Sequence, residues 1–130
     1  MMNKEKYYKI LFLVAALYNI INSMTFILVS IVATDLFPFF GVEIPPSMIW
    51  LQVCLILIAL LGVGYILVSR DISKNHGLVF IGGLAKLSFF LMSLAYFFVG
   101  DLSILIVFLG SIDLVMVILF TEFLMTQNKK

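Results

Sequence analysis

Charge is what this chain has least of. Only 12% of its 130 residues are Asp, Glu, Lys or Arg, about half the share found in a soluble domain. The formal net charge is +1 and no basic run is present, which excludes the phosphate-neutralising surface of a nucleic-acid-binding protein. One cysteine, Cys54, excludes an internal disulfide and any paired-cysteine redox or zinc motif. One histidine, His76, leaves no basis for a His-rich metal site. No metal and no cofactor is expected. A secretory leader is not expected either, because the first apolar run is too long for such a segment and lacks a small-x-small cleavage site.

Apolar residues fill the space that charge leaves. They make up 64% of the chain, with 13 Phe and 7 Met, and the mean hydropathy is +1.23. Crossing a ~30 Å hydrocarbon layer takes ~20 such residues. Four stretches qualify, at about residues 8–34, 47–69, 77–99 and 102–125. Each must be helical, because lipid offers the backbone no hydrogen-bond partner. The expected fold is therefore all-α and integral to the membrane: an antiparallel four-helix transmembrane bundle, one domain over residues 1–130.

The punctuation agrees with that division. Pro38, Pro45 and Pro46 all fall in DLFPFFGVEIPPS, between spans one and two, where no helix is interrupted. SRDISKNHG joins spans two and three, and Gly100-Asp101 turns between three and four. Links this short force consecutive helices to lie antiparallel and adjacent.

Lys and Arg placement sets the expected orientation. Lys4, Lys6, Lys9, Arg70, Lys74, Lys129 and Lys130 all fall on one side, whereas the other two loops hold only Asp35, Glu43 and Asp101. Both termini are expected in the cytoplasm (N-in/C-in), with the chain multi-pass in a bacterial inner membrane. Tyr7, Tyr8, Trp50 and Tyr96 suit interfacial belts. Cys54 is expected to be packed and His76 to be exposed.

Ionisable residues inside a span cost ~2.5–3.5 kcal/mol each on insertion scales, so Lys86 and Asp113 require an explanation. At ~1.5 Å of rise per residue, the Cα of Lys86 lies ~13 Å deep, Asn19 and Asp113 ~16 Å, and Asn22 ~21 Å. Three helices thus bring polar groups to one level. Asn19 and Asn22 share a face, and Lys86 shares its face with Gly82, Gly83, Phe90 and Ser93, which reads as a helix contact rather than a lipid face. Lys86 has three open outcomes: pairing with Asp113, pairing with Glu122 nearer the cytoplasmic edge, or snorkelling there alone. Glu122 is nine residues from Asp113, so the two acids point in opposite directions. Tyr65 reads as an inner interfacial anchor that could alternatively offer its hydroxyl to a pocket. Asn19, Asn22, Lys86 and Asp113 form the candidate polar cluster, with Tyr65, Ser93 and Glu122 as secondary candidates.

GLVFIGGLAK has the wrong spacing for a phosphate-binding loop, and Leu87 stands where the hydroxyl residue belongs. FIGGLAKLSFF is similar to the third span of fluoride channels over Phe80–Phe90 alone, and Ala85 and Lys86 replace that family's threonines. Over its full length the chain resembles the DoxX-like group of small bacterial four-helix membrane proteins. The resemblance is carried by YNIINS in the first span, the proline-bearing loop, GVGYILVSRD closing the second and GGLAKL opening the third. It implies a four-helix bundle, and some members are associated with quinone-linked redox systems.

The functional expectation is a polar cluster that binds a lipophilic ligand, lipid or quinone-like, or a partner's transmembrane helix. The alternative is a small oligomeric transporter or channel built on the Lys/Asp site. An intramembrane enzyme ranks last, because no nucleophile–base–orienter set is present and no catalytic residue can be named. The expected partners are the bilayer and, beyond it, a second copy or another membrane protein.

Overall fold

The computed structural model describes residues 3–127; Lys129 and Lys130 lie outside the described residues. The chain folds into α1 (Lys4–Val32), a 3-10 helix (Thr34–Phe40), α2 (Ile49–Arg70), α3 (His76–Val99) and α4 (Ile104–Gln127). All four α-helices are long and apolar enough to cross a membrane. The protein is an all-α bundle and a small multi-pass membrane protein in contact with lipid.

Helix ends differ from the apolar spans where local capping overrides hydropathy. Asn3 accepts from the Glu5 N–H at 3.2 Å, so α1 starts in the polar KEK segment, ahead of the first apolar run. At the far end of α3, the Gly100 N–H donates to Tyr96 and Phe97, and the Asp101 N–H donates to Tyr96. Gly100 has φ 92°, a left-handed cap that glycine adopts without a Cβ penalty. Pro38 departs from its expected loop setting and lies inside the 3-10 helix, where it supplies no N–H but its carbonyl accepts from Gly41.

In lipid, the hydrophobic effect does not press helices together, so close packing must do it. Two hairpins result. In α1/α2, a Cβ placed on Gly62 would sit 3.0 Å from the Ala16 carbonyl oxygen, so that glycine permits the close approach. Asn19 Nδ2 donates to the Ile58 carbonyl at 3.3 Å and Gln52 Nε2 to Ser30 Oγ at 3.0 Å. In α3/α4, a Cβ on Gly110 would lie 3.4 Å from Phe90 Cα and 2.8 Å from Ser93 Oγ. The close contacts fall at Gly62 and Gly110 and not at Gly83, where an added Cβ would meet only Phe120 at 4.0 Å.

The hairpins join through large side chains at the end that carries Lys4 and Gln127. Phe12 packs on Phe123 and Phe120 at 4.9 and 5.1 Å between ring centroids, and Tyr65 on Phe120 at 5.1 Å. Each such pair adds about 0.5–1.5 kcal/mol beyond its area. Tyr8 is a correction to the interfacial reading. It is buried, packs edge-on against Phe123, and donates to Glu122 Oε1 at 3.0 Å, with Thr126 Oγ1 3.2 Å from the same hydroxyl. His76 is also not fully exposed: its ring stands edge-on to Phe123 at 5.6 Å, with Nε2 3.0 Å from the Ile72 carbonyl. Trp50, by contrast, is 79% exposed on the bundle's outer surface, as a lipid-facing position requires.

The α2–α3 turn is held by Asp71. Its Oδ1 accepts from Ser73 Oγ at 2.5 Å and from the Ser73 N–H at 3.1 Å, while Lys74 Nζ lies 2.9 Å from Oδ2. Led by the Ser73 hydroxyl, with Lys74 beside it, these donors pull the Asp71 carboxyl down to about 2.

Candidate functional site

At mid-height the aromatic packing ends and a polar layer begins. Lys86, on α3, is 5% exposed and Asp113, on α4, is 8% exposed. Lys86 Nζ donates to Asp113 Oδ1 and, at 2.8 Å, to Asn19 Oδ1 from α1. The sequence left three outcomes for this lysine, and the ammonium turns inward to Asp113. Glu122 belongs to a different contact, as the acceptor of Tyr8. Two of the three ammonium donors are thus engaged, and the charge is compensated within the layer.

Asn19 is fixed from both sides. Its amide N–H reaches the Ile58 carbonyl, and its backbone carbonyl accepts from Ser23 Oγ at 2.7 Å. Asn22 does not reach Lys86; it sits beside the Tyr18 hydroxyl, one turn further along α1. Ser93 is buried, but its hydroxyl is spent on the Phe90 carbonyl of its own helix at 2.9 Å.

Tyr65 requires the largest correction. It is not an interfacial anchor: it is fully buried, directly under the ion pair, with Lys86 Nζ 6.0 Å from its ring centroid. The ring occupies the notch left by Gly82, where an added Cβ would lie 2.1 Å from the hydroxyl oxygen. Gly82 therefore accommodates a side chain, and not the neighbouring backbone that the glycine pair suggested. The hydroxyl has no hydrogen-bond partner among the described residues.

Tyr18 was missed in the sequence. Its ring lies 5.3 Å from Lys86 Nζ, a cation–π distance, and its hydroxyl donates to the Leu109 carbonyl of α4 at 3.2 Å. Its position next to Asn19 in YNIINS was the available signal.

Beyond the polar layer, away from Lys4 and Gln127, the hairpins part around a cavity of about 640 Å³. Lys86, Asp113 and Asn19 line its floor, Asn22, Ser23 and Ser93 lie further along, and its walls are otherwise almost wholly apolar. Phe37, Phe40, Val42 and Pro45 of the long loop roof it. The roof is tied across the bundle, because the Ser103 N–H donates to the Phe40 carbonyl at 3.4 Å. Gly41, at φ 66°, allows that contact: a Cβ there would sit 2.6 Å from the Ser103 nitrogen.

The open side is specific. The exposed lining residues are Cys54 and Leu57 on α2, and Ala85, Phe89, Met92 and Tyr96 on α3. Lining residues from α1 and α4 are buried or half-buried. Cys54, expected to be packed, is instead exposed at this rim. At the other end α2 and α3 are in contact, Gly64 with Leu78 and Tyr65 with Gly82. The two helices therefore close at their shared turn and part towards the roof, leaving a cleft that faces lipid.

Fold and site define a helical membrane protein with a polar-floored cavity between its apolar helices. No protein-family model matches the chain, and no curated protein or solved structure is significantly similar to it.

Proposed function

We propose that this protein binds a lipophilic ligand in the cavity, with the polar head on the Lys86–Asp113–Asn19 layer. The cavity carries the reading. Its ~640 Å³ lies within the ~300–1,000 Å³ of small-molecule sites, and an apolar lining with a few convergent polar groups is their usual composition. A purely structural ion pair needs no such space beside it. A partner's transmembrane helix seated in the same cleft is the competing occupant.

A transporter or channel is less well supported. Phe12, Tyr65, Phe120 and Phe123 are buried together below the polar layer, so a path through one chain has no continuation on that side. The DoxX-like resemblance supports the four-helix layout, and membership of that group stays part of this proposal.

Orientation belongs to the same proposal. Lys4, Lys6, Lys9, Arg70 and Lys74 gather at the closed end, which supports a cytoplasmic location for that end and an outer-leaflet location for the cavity. A bacterial inner membrane fits the charge bias.

The test is extraction of the purified protein followed by lipid mass spectrometry. A lipophile enriched over bulk lipid, and lost from Lys86→Met/Asp113→Asn, is the expected result. Equal lipid profiles for the two proteins, with both folded, refute the proposal.

A further inference from the structure

We infer that the ligand's head is uncharged and accepts a hydrogen bond, and that it reaches Lys86 sideways from the bilayer between α2 and α3. The inference rests on reading the cavity as a ligand site and narrows what that site takes.

Three observations converge on it. The floor is already neutral, because Asp113 and Lys86 compensate each other. An anionic head would place a second negative charge beside Asp113, and a cationic head a second positive charge beside Lys86, in a layer where both groups are buried. The floor still offers a donor, since Lys86 has one N–H beyond those given to Asp113 and Asn19. The route supplies the third. The loop roof covers the aqueous end, and the exposed lining residues all lie on α2 and α3.

Depth makes the route selective. Lys86 lies ~15 Å along α3 from His76, about half-way through a ~30 Å hydrocarbon layer. A head arriving there through the cleft leaves water before it meets any polar group. That transfer is costly for a charge and much less so for a hydroxyl or carbonyl. Phospholipids and fatty acids are disfavoured on this ground. A long-chain neutral amphiphile, which already partitions into the bilayer interior, fits the cavity, the floor and the route together.

The test uses the full chain in phosphatidylcholine nanodiscs with three photoreactive probes on one long-chain tail: an alcohol, a carboxylate and an amine. Crosslinks are mapped by mass spectrometry. The alcohol is expected to label the wall around Leu57 and Phe89 saturably, on the order of a hundredfold more than either charged probe. Met92→Trp, placed at an exposed position on the rim, is expected to abolish that labelling with helicity unchanged. Asp113→Asn, which leaves the ammonium uncompensated, is expected to shift preference to the carboxylate. Should the carboxylate or amine label the wild-type wall as well as the alcohol, and Met92→Trp block it, the neutral-head inference falls while the ligand cavity stands. If no probe labels the wall saturably, both fall, and the cleft is left to a helix.

Discussion

Replacing Lys86 with Met removes the ammonium from a layer built around it. Asp113 Oδ1 and Asn19 Oδ1 both lose their donor, and Asp113, only 8% exposed, is left as a carboxylate with no cation. Breaking a buried pair from one side costs ~3–5 kcal/mol. Asp113→Asn leaves the ammonium orphaned and falls in the same range. The double variant Lys86→Met/Asp113→Asn carries no charge and nearly preserves the volume, so it should lie within ~1 kcal/mol of wild type. Simple addition of the singles would predict ~6–10 kcal/mol, which makes the expected coupling ~5 kcal/mol or more. The assay is unfolding in mixed micelles titrated with SDS, followed by circular dichroism and by resistance to proteolysis. Additive losses in the double variant would refute the reasoning, as would a Lys86→Met protein as stable as wild type.

Tyr65→Phe should be neutral or stabilising in the same titration, because it deletes a buried hydroxyl without a partner; a loss above ~1 kcal/mol would reveal a contact that the structure does not contain. Gly62→Ala should cost ~1–3 kcal/mol, since its Cβ meets the Ala16 carbonyl and α1 must shift, whereas Gly83→Ala should be close to neutral. Reversal of that order would place the tight crossing elsewhere. Asp71, at about 2, contributes stability that is present above the ordinary carboxyl range and lost as pH falls through about 2. An NMR titration of Ser73→Ala should move its midpoint up towards 3.8, and an unchanged midpoint would remove the serine as the leading cause.

Hydropathy made the four helices legible, because lipid constrains every backbone group in the same way. Capping was less legible: Asn3 extends α1 backwards through residues that no hydropathy window favours. The facing of side chains was hardest to read. In water an apolar residue signals the core, but in a bundle surrounded by lipid both faces of a helix are apolar. Cys54 and Tyr65 were misjudged for that reason, the first expected inside and found at the cleft, the second expected at the interface and found at the centre. Lys86 and Asp113 stood out because a charge inside a span is costly, yet which way the lysine turns stayed open among three outcomes until its neighbours were placed. Their shared depth was readable from residue counts, whereas the cavity beside them depends on how the two hairpins diverge, which no single helix encodes.

The placement of the ion pair bears on how the chain enters the membrane. Lys86 and Asp113 lie on consecutive helices joined by a four-residue turn, Gly100–Ser103. Inserted alone, α3 would present an unpaired ammonium to lipid, at the ~2.5–3.5 kcal/mol that such scales assign. Inserted together, α3 and α4 bring the charge and its counter-charge into the bilayer in one event. The second hairpin is thus electrically self-sufficient before it meets the first. Asn19 belongs to the other hairpin, so its hydrogen bond to Lys86 is the part of the layer that only docking of the two hairpins can supply.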